Sequence, residues 1–208
     1  MSEAKRTIHV AAYDTMADWE VGHATAHLRT GRFHRDRSGF EIVMVGLTRD
    51  PVTTMGGLRV TPDLALDELS PSGSALLILP GAATWDEGDD LTPFARTARA
   101  FLSAGVPVAA ICGATAGLAR EGLLDGRAHT SGAVQYLEAQ EGYSGAARYV
   151  ETDAVTDGDL ITAGPTEPVA FAREIFLRLD VNRPEVVDAW YRLFSRSDAS
   201  AYEVLMSA

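Results

Sequence analysis

Residues 106–118 read VPVAAICGATAGL. The run up to Ile111 is short and rich in Val and Ile, which suits a buried strand better than a helix. The chain then passes through Cys112-Gly113-Ala114-Thr115 into a helix-like run, Ala116 to Gly122. A buried strand that turns at once into a helix puts its turn residue at the carboxyl edge of a parallel sheet, where open α/β folds bind ligands. Ala110 and Ala114 flank Cys112 two residues away on either side. Such small neighbours permit the tight, strained turn of a nucleophile elbow, here A-x-C-x-A in place of G-x-S-x-G. At an elbow the thiol lies beside unpaired N–H groups, which predicts a depressed thiol pKa. On spacing alone, Cys112 is either such a reactive thiol or an ordinary buried cysteine.

Working outward, strands and helices alternate. Toward the N-terminus, Thr7–Tyr13 (TIHVAAY) predicts a buried strand. A helix over about 18–31 follows, with Asp14 or Asp18 as its cap. Glu20 falls in that helix's first turn, just past the first strand, and so at the same sheet edge as Cys112. His23 and His27 follow at helical spacing and share its face. With Glu20 they form an H-x-x-x-H-type set, but no third His or Cys stands at a useful distance, so no metal is expected. Phe40–Leu47 predicts a second strand. Val52–Val60 predicts a hairpin turning at Met55-Gly56-Gly57. Asp63–Leu69 reads as a short helical piece or loop. Ala75–Pro80 (ALLILP) is a further buried strand, ending in Gly81-Ala82-Ala83-Thr84-Trp85. There the backbone N–H groups either approach a ligand or line a plain loop.

The acidic run Asp86–Asp90 leads into a helix over 91–104, with Gly105 as its cap. Beyond the elbow, Leu123–Ser131 predicts a turn and a short strand, and Val134–Gln140 a helix. Arg148–Val155 and Leu160–Ala163 pair around Asp157-Gly158-Asp159. Glu167–Leu179 is an amphipathic helix. The order of elements predicts a doubly wound, mostly parallel sheet sandwiched by helices. The expectation is one domain over 1–208 with a helical C-terminal extension over about 183–208. In that extension Trp190, Tyr191 and Phe194 would cover the site, enlarge a subunit contact, or pack on the chain's own sheet.

A formal net charge of −11 argues against nucleic acid as a partner and for a soluble protein. No run approaches a membrane span, and the opening MSEAKRTIHVAAYD carries no signal-peptide pattern. The single cysteine allows no intrachain disulfide and points to a reducing compartment, the cytoplasm. No cofactor is expected.

Several separate segments together resemble the ThiJ/PfpI family, within the class I glutamine amidotransferase-like, flavodoxin-like fold. They are AAICGATAGLAREGLLDGRAHTS around Cys112, ADWE around Glu20, LILPGA before Ala83, and LITAGPTEPVAFA from Leu160. The resemblance covers about residues 7–180. It implies a reactive Cys112, with Glu20 as the acid whose protonated carboxyl hydrogen-bonds it. It matches Gly81, Ala82 and Gly113 to backbone donors around the thiol. It also implies a homodimer and a small-molecule substrate.

The departures are specific. Where many hydrolytic members carry a histidine directly after the nucleophile, this chain has Gly113. Where others bring one from just after the G-R-x-x-T segment, it has Gly132. His129 precedes Thr130, so strand alternation turns it away. Ala82 replaces the second glycine of the Pro-Gly-Gly loop and would be strained if that site needed a positive φ. The expectation is therefore a small-molecule hydrolase, hydratase or lyase using Cys112 and Glu20, with peptide hydrolysis disfavoured because its leaving amine needs a proton. A cysteine-oxidation sensor and a non-catalytic binding module are the alternatives.

Overall fold

In the computed structural model, which describes residues 6–88 and 90–207, the apolar runs become one seven-stranded sheet. In chain order the elements begin β1 (Thr7–Ala11), α1 (Asp18–Thr30), β2 (Glu41–Gly46), β3 (Val52–Thr53), β4 (Arg59–Val60) and β5 (Leu64–Ala65). Then come β6 (Ser74–Leu79), α2 (Thr92–Ser103), β7 (Val108–Ile111), α3 (Ala114–Arg120) and α4 (Val134–Glu138). The chain finishes with β8 (Ala154–Asp157), β9 (Leu160–Ala163), α5 (Pro168–Arg178), α6 (Pro184–Arg196) and α7 (Ala201–Met206). The sheet order is β5-β2-β1-β6-β7-β9-β8, parallel throughout except for the last strand, β8. Helices cover both faces, which is why the central strands read as continuous apolar runs. Every residue of β7 and β9 is buried.

The chain adds strands outward from β1 in one direction, then returns to add β6, β7 and β9 in the other. That reversal lies between β1 and β6, and it opens a crevice at the strands' carboxyl ends. α1 packs against α5, and α5 against α6, while α2 and α3 pack together.

Some expectations shift. Neither Asp14 nor Asp18 caps α1; Ala17 takes the cap position with no side-chain bond. The two acids are used across the chain instead. Asp14 Oδ1 accepts the Thr53 N–H (2.7 Å) and Asp18 Oδ2 the Gly56 N–H (2.6 Å), so both pin the β3–β4 hairpin beside the start of α1. Asp63–Leu69 supplies a two-residue edge strand and a single 3₁₀ turn. The strand expected within Leu123–Ser131 reduces to one bridge, His129 to Tyr149. The strand expected over Arg148–Val155 forms only from Ala154, where it pairs antiparallel with β9 around Gly158. The first five residues of MSEAKRTIHVAAYD, the stretch that carries the signal-peptide expectation, and Asp89 of the acidic run lie outside the described residues. Among the described residues no helix is long and apolar enough to cross a membrane.

The terminal aromatics do not cover the sheet's carboxyl edge. Trp190 is buried, stacks on Phe194 at 4.9 Å and meets Phe176 at 4.7 Å. His27 from α1 completes this cluster, 5.3 Å from Trp190 and 4.9 Å from Phe194. His23 meets the same two rings at 6.1 and 5.6 Å. The histidines at metal-like spacing therefore pack edge-on against rings. Among the described residues no group of three His, Cys, Asp or Glu side chains is placed to hold a metal ion.

Candidate active site

Cys112 follows β7 directly and takes a left-handed backbone, φ 57°. A residue with a Cβ adopts that conformation at a cost of roughly 1–2 kcal/mol, so its surroundings must hold it there. They do so through both of its peptide groups. The Cys112 N–H donates to the Ala163 carbonyl at the end of β9 (3.1 Å). Its carbonyl accepts from the Thr115 N–H (3.1 Å) and from the Thr115 hydroxyl (2.6 Å). Thr115, fully buried, is tied in turn to Ser131 Oγ at 2.7 Å.

The loop after β6 forms the facing wall. Gly81 must be glycine because of close approach. A Cβ built there would lie 2.7 Å from Cys112 Cβ and 2.9 Å from both Cys112 Sγ and Glu20 Oε1. These distances also place the thiol and the carboxyl on a common side of Gly81. Ala82 has φ −159°, plain extended backbone, so the alanine in place of glycine carries no strain. Beneath the loop Trp85 is fully buried and donates from Nε1 to Tyr13 Oη and to the Pro80 carbonyl, both at 3.1 Å. Tyr13 Oη also donates to the Pro80 carbonyl.

Glu20 is completely buried at the start of α1. Its Oε2 accepts the Gly81 N–H. Gly81, matched by resemblance to the donors around the thiol, thus directs its N–H hydrogen bond to the carboxyl. Among the described residues Oε1 finds no N–H or O–H donor, and it lies on the same side of Gly81 as the Cys112 thiol. Burial raises Glu20 to about 7, against the smaller lowering by the Gly81 N–H and the thiol. Burial also pushes the Cys112 thiol up to about 12, the Glu20 charge adding to it and the Gly113 N–H opposing it. The direction is opposite to the depressed thiol expected of an elbow. The physical reason is that α3 spans only seven residues, while the thiol is half-buried beside an acid. The pair holds at most one negative charge near neutrality, and the carboxyl carries it first.

These groups line a cavity of about 430 Å³ at the sheet's carboxyl edge. Cys112, Glu20, Gly81, Ala82 and Gly113 form part of it, so all five residues singled out from the sequence come together. Trp19, Met55, Asp86, Tyr136 and Pro165 also line it, and sequence reasoning passed over them. Asp86 opens the acidic run and Tyr136 sits within the expected helix, so their only signal was a position after a loop. Met55 reaches the cavity through the hairpin that Asp14 and Asp18 pin.

A model of the DJ-1/PfpI family matches residues 6–177. The chain belongs to the DJ-1/PfpI family. A Bacillus subtilis (strain 168) protein named as an uncharacterized protease is 40% identical over 190 residues, 90% of each chain. The crystal structure of a thiJ/pfpI family protein from Bacillus anthracis superposes with a TM-score of 0.91 at 35% identity, covering 99% of this chain and 98% of that one. A deglycase from Pyrococcus horikoshii is 29% identical over 150 residues, 71% of this chain and 87% of its own.

Within this DJ-1/PfpI frame the two histidine departures have structural consequences. A side chain at position 113 would press on the Ala82 carbonyl and on Trp85, each 3.2 Å from an added Cβ. At position 132, which lines the cavity, an added Cβ would meet only Pro165, at 3.4 Å. His129 is fully buried elsewhere, held between the Arg127 carbonyl and Tyr143 Oη, both at 2.7 Å.

Proposed function

We propose that this protein is a cysteine-dependent enzyme acting on a small electrophile, with Cys112 as nucleophile and Glu20 as its proton partner. The observation that carries this reading is a strained Cys112 whose thiol faces a fully buried acid inside a cavity. A group with a pKa near 7 is matched to proton transfer at neutral pH. As Sγ bonds to a carbonyl carbon, the thiol proton moves to Glu20. The C=O pair moves onto oxygen, beside the N–H groups of Gly113 and Ala82. Glu20 then returns the proton to that oxygen, giving a neutral adduct. The thiolate need not exist beforehand, so the raised thiol is compatible with the chemistry.

The cavity lacks, among the described residues, a histidine to protonate a leaving amine. Carbonyl addition, hydration or lyase chemistry therefore suits it better than peptide cleavage. The test is a panel of dicarbonyls, isonitriles and amides assayed against wild type, Cys112→Ser and Glu20→Gln. Turnover lost in both variants supports the reading; turnover retained in Cys112→Ser ends it.

A second reading rests on the same cradle, since the Gly113 N–H and a protonated Glu20 would also hold the oxygens of a sulfinic acid. Intact mass after mild peroxide should gain two oxygens in wild type and none in Cys112→Ser. We also propose a homodimer as the working unit, with the exposed Tyr202, Val204 and Met206 of α7 supplying apolar contact surface. Sedimentation showing a monomer at micromolar concentration would remove that part.

A further inference from the structure

The cavity has two chemically different ends. The inner end holds the half-buried Cys112, the fully buried Glu20 and the loop amides. The outer end is made of exposed or half-exposed side chains: Trp19 and Met55, each 51% exposed, with Asp86 and Tyr136. Tyr136 Oη donates to Asp86 Oδ1 at 2.7 Å, joining α4 to the loop after β6. A phenol whose single O–H is already committed as a hydrogen-bond donor offers only lone pairs to a ligand. Asp86 beside it offers carboxylate oxygen, and Trp19 and Tyr136 add aromatic rings to the lining, a residue type whose faces attract cations.

No lysine, arginine or histidine lines the cavity among the described residues. Arg120 of α3 stands behind Tyr136, but its guanidinium is held by the Trp85 carbonyl (3.0 Å) and Gln140 Oε1 (2.7 Å) and does not reach the cavity wall. A ligand carboxylate or phosphate would therefore face Asp86 at one end and Glu20 at the other, with no lining cation among the described residues to offset either.

We propose that the outer end is a recognition site for an ammonium group, with Asp86 as counter-ion and Trp19 and Tyr136 as walls. The substrate is accordingly a small electrophile that carries an amine and neither carboxylate nor phosphate. This rests on Cys112 being the nucleophile, because the electrophile must occupy the inner end while the amine occupies the outer.

The chain's lone cysteine permits a direct test with methanethiosulfonates that differ only in tail charge: aminoethyl, methyl and sulfonatoethyl. In each case the Cys112 thiol passes its proton to Glu20 as its sulfur attacks the sulfenyl sulfur, a mixed disulfide forms and methanesulfinate leaves. Rates are measured at 0.15 M salt and divided by those of a simple thiol with the same reagent, so that long-range field effects are screened. The cation-to-anion ratio should exceed that of the simple thiol by roughly tenfold or more. Asp86→Asn should cut it roughly three- to tenfold. Tyr136→Phe should cut it less, and Glu185→Gln, a remote exposed acid on α6, should leave it unchanged. A wild-type ratio equal to that of the simple thiol overturns the proposal, and needs no variant to be folded. So does a ratio unmoved in a folded Asp86→Asn. If the neutral methyl reagent fails to modify Cys112 at all, the nucleophile reading itself falls and takes this one with it. That outcome is distinct from a reactive thiol with no charge preference.

Discussion

Helix α1 carries two titratable groups seven residues apart, Glu20 buried and His27 half-buried, and they behave in opposite ways. Glu20 points under the loop after β6 and keeps polar company: the Gly81 N–H and the Cys112 thiol. His27 lies against rings, those of Phe33, Phe176, Trp190 and Phe194. Burial drives both toward neutrality, Glu20 up to about 7 and His27 down to about 4. A shifted pKa is therefore no mark of function by itself. What separates the two is a partner with a proton to exchange. Glu20 has a thiol facing a cavity; His27 has four aromatic walls and serves to dock α6 and α5 on α1.

The largest effect should come from the thiol. Cys112→Ser should lower turnover of any substrate by at least ~10³-fold, while His27→Phe should leave it within a few-fold. Equal losses in the two variants, measured as kcat/KM, would erase the functional difference between the regions.

The next effect is on stability, where the two groups should act in opposite pH directions. The folded chain holds the Glu20 proton up to about pH 7, whereas an unfolded glutamate releases it near 4.5. The stability Glu20 contributes is complete below that lower value and is lost as pH rises through the upper one. Glu20→Gln should therefore raise stability by ~3 kcal/mol at pH 8 and change it little at pH 4, as read by urea unfolding. A stabilisation independent of pH would mean that the carboxyl is not held neutral.

His27 should mirror this on the acid side, and more weakly because it is only partly buried. Its folded pKa lies below the ordinary 6.5, so its contribution is present above 6.5 and lost as pH falls toward 4. His27→Phe keeps a ring and removes the proton, and should recover ~2 kcal/mol at pH 4 relative to wild type. Amide exchange confined to α6 and α7 would locate the loss; uniform exchange across the sheet would contradict it.

The smallest effect sharpens the site itself. Gly132 lines the cavity with room for a side chain. Gly132→His should add the base that the family resemblance implies at this place in other members, and speed alkylation of Cys112 at pH 7 by roughly tenfold. Gly113→His should instead destabilise the fold, because Trp85 occupies that space. If both substitutions behave alike, the crowding at Gly113 is not what kept a histidine out.

Much of this was legible in the residues. VPVAAICGATAGL specified a buried strand, a sharp turn and a helix, and the alternation around it specified the doubly wound sheet, because period and length are local properties. The placement of Glu20 at the edge that holds Cys112 followed from counting turns. The caps were misread because Asp14 and Asp18 form their hydrogen bonds with residues 38 or 39 positions away. A local capping rule cannot see such partners. The thiol's direction was misread because the N-terminus of a helix is a local feature, whereas burial beside Glu20 is a product of packing.

By itself the sequence determined the class of fold, the family, the candidate nucleophile and its acid, and the absence of a histidine from the two familiar positions. Only the tertiary structure decided how those residues are used. It spends the Gly81 N–H on Glu20, lets Ala82 sit unstrained, packs His23 and His27 among aromatic rings, and sets Asp86 against Tyr136 at the cavity's outer end. Each of these joins segments far apart in the chain. Residue spacing encodes the period of a strand or helix; which two segments meet, and what dielectric they share, is set by how the layers pack.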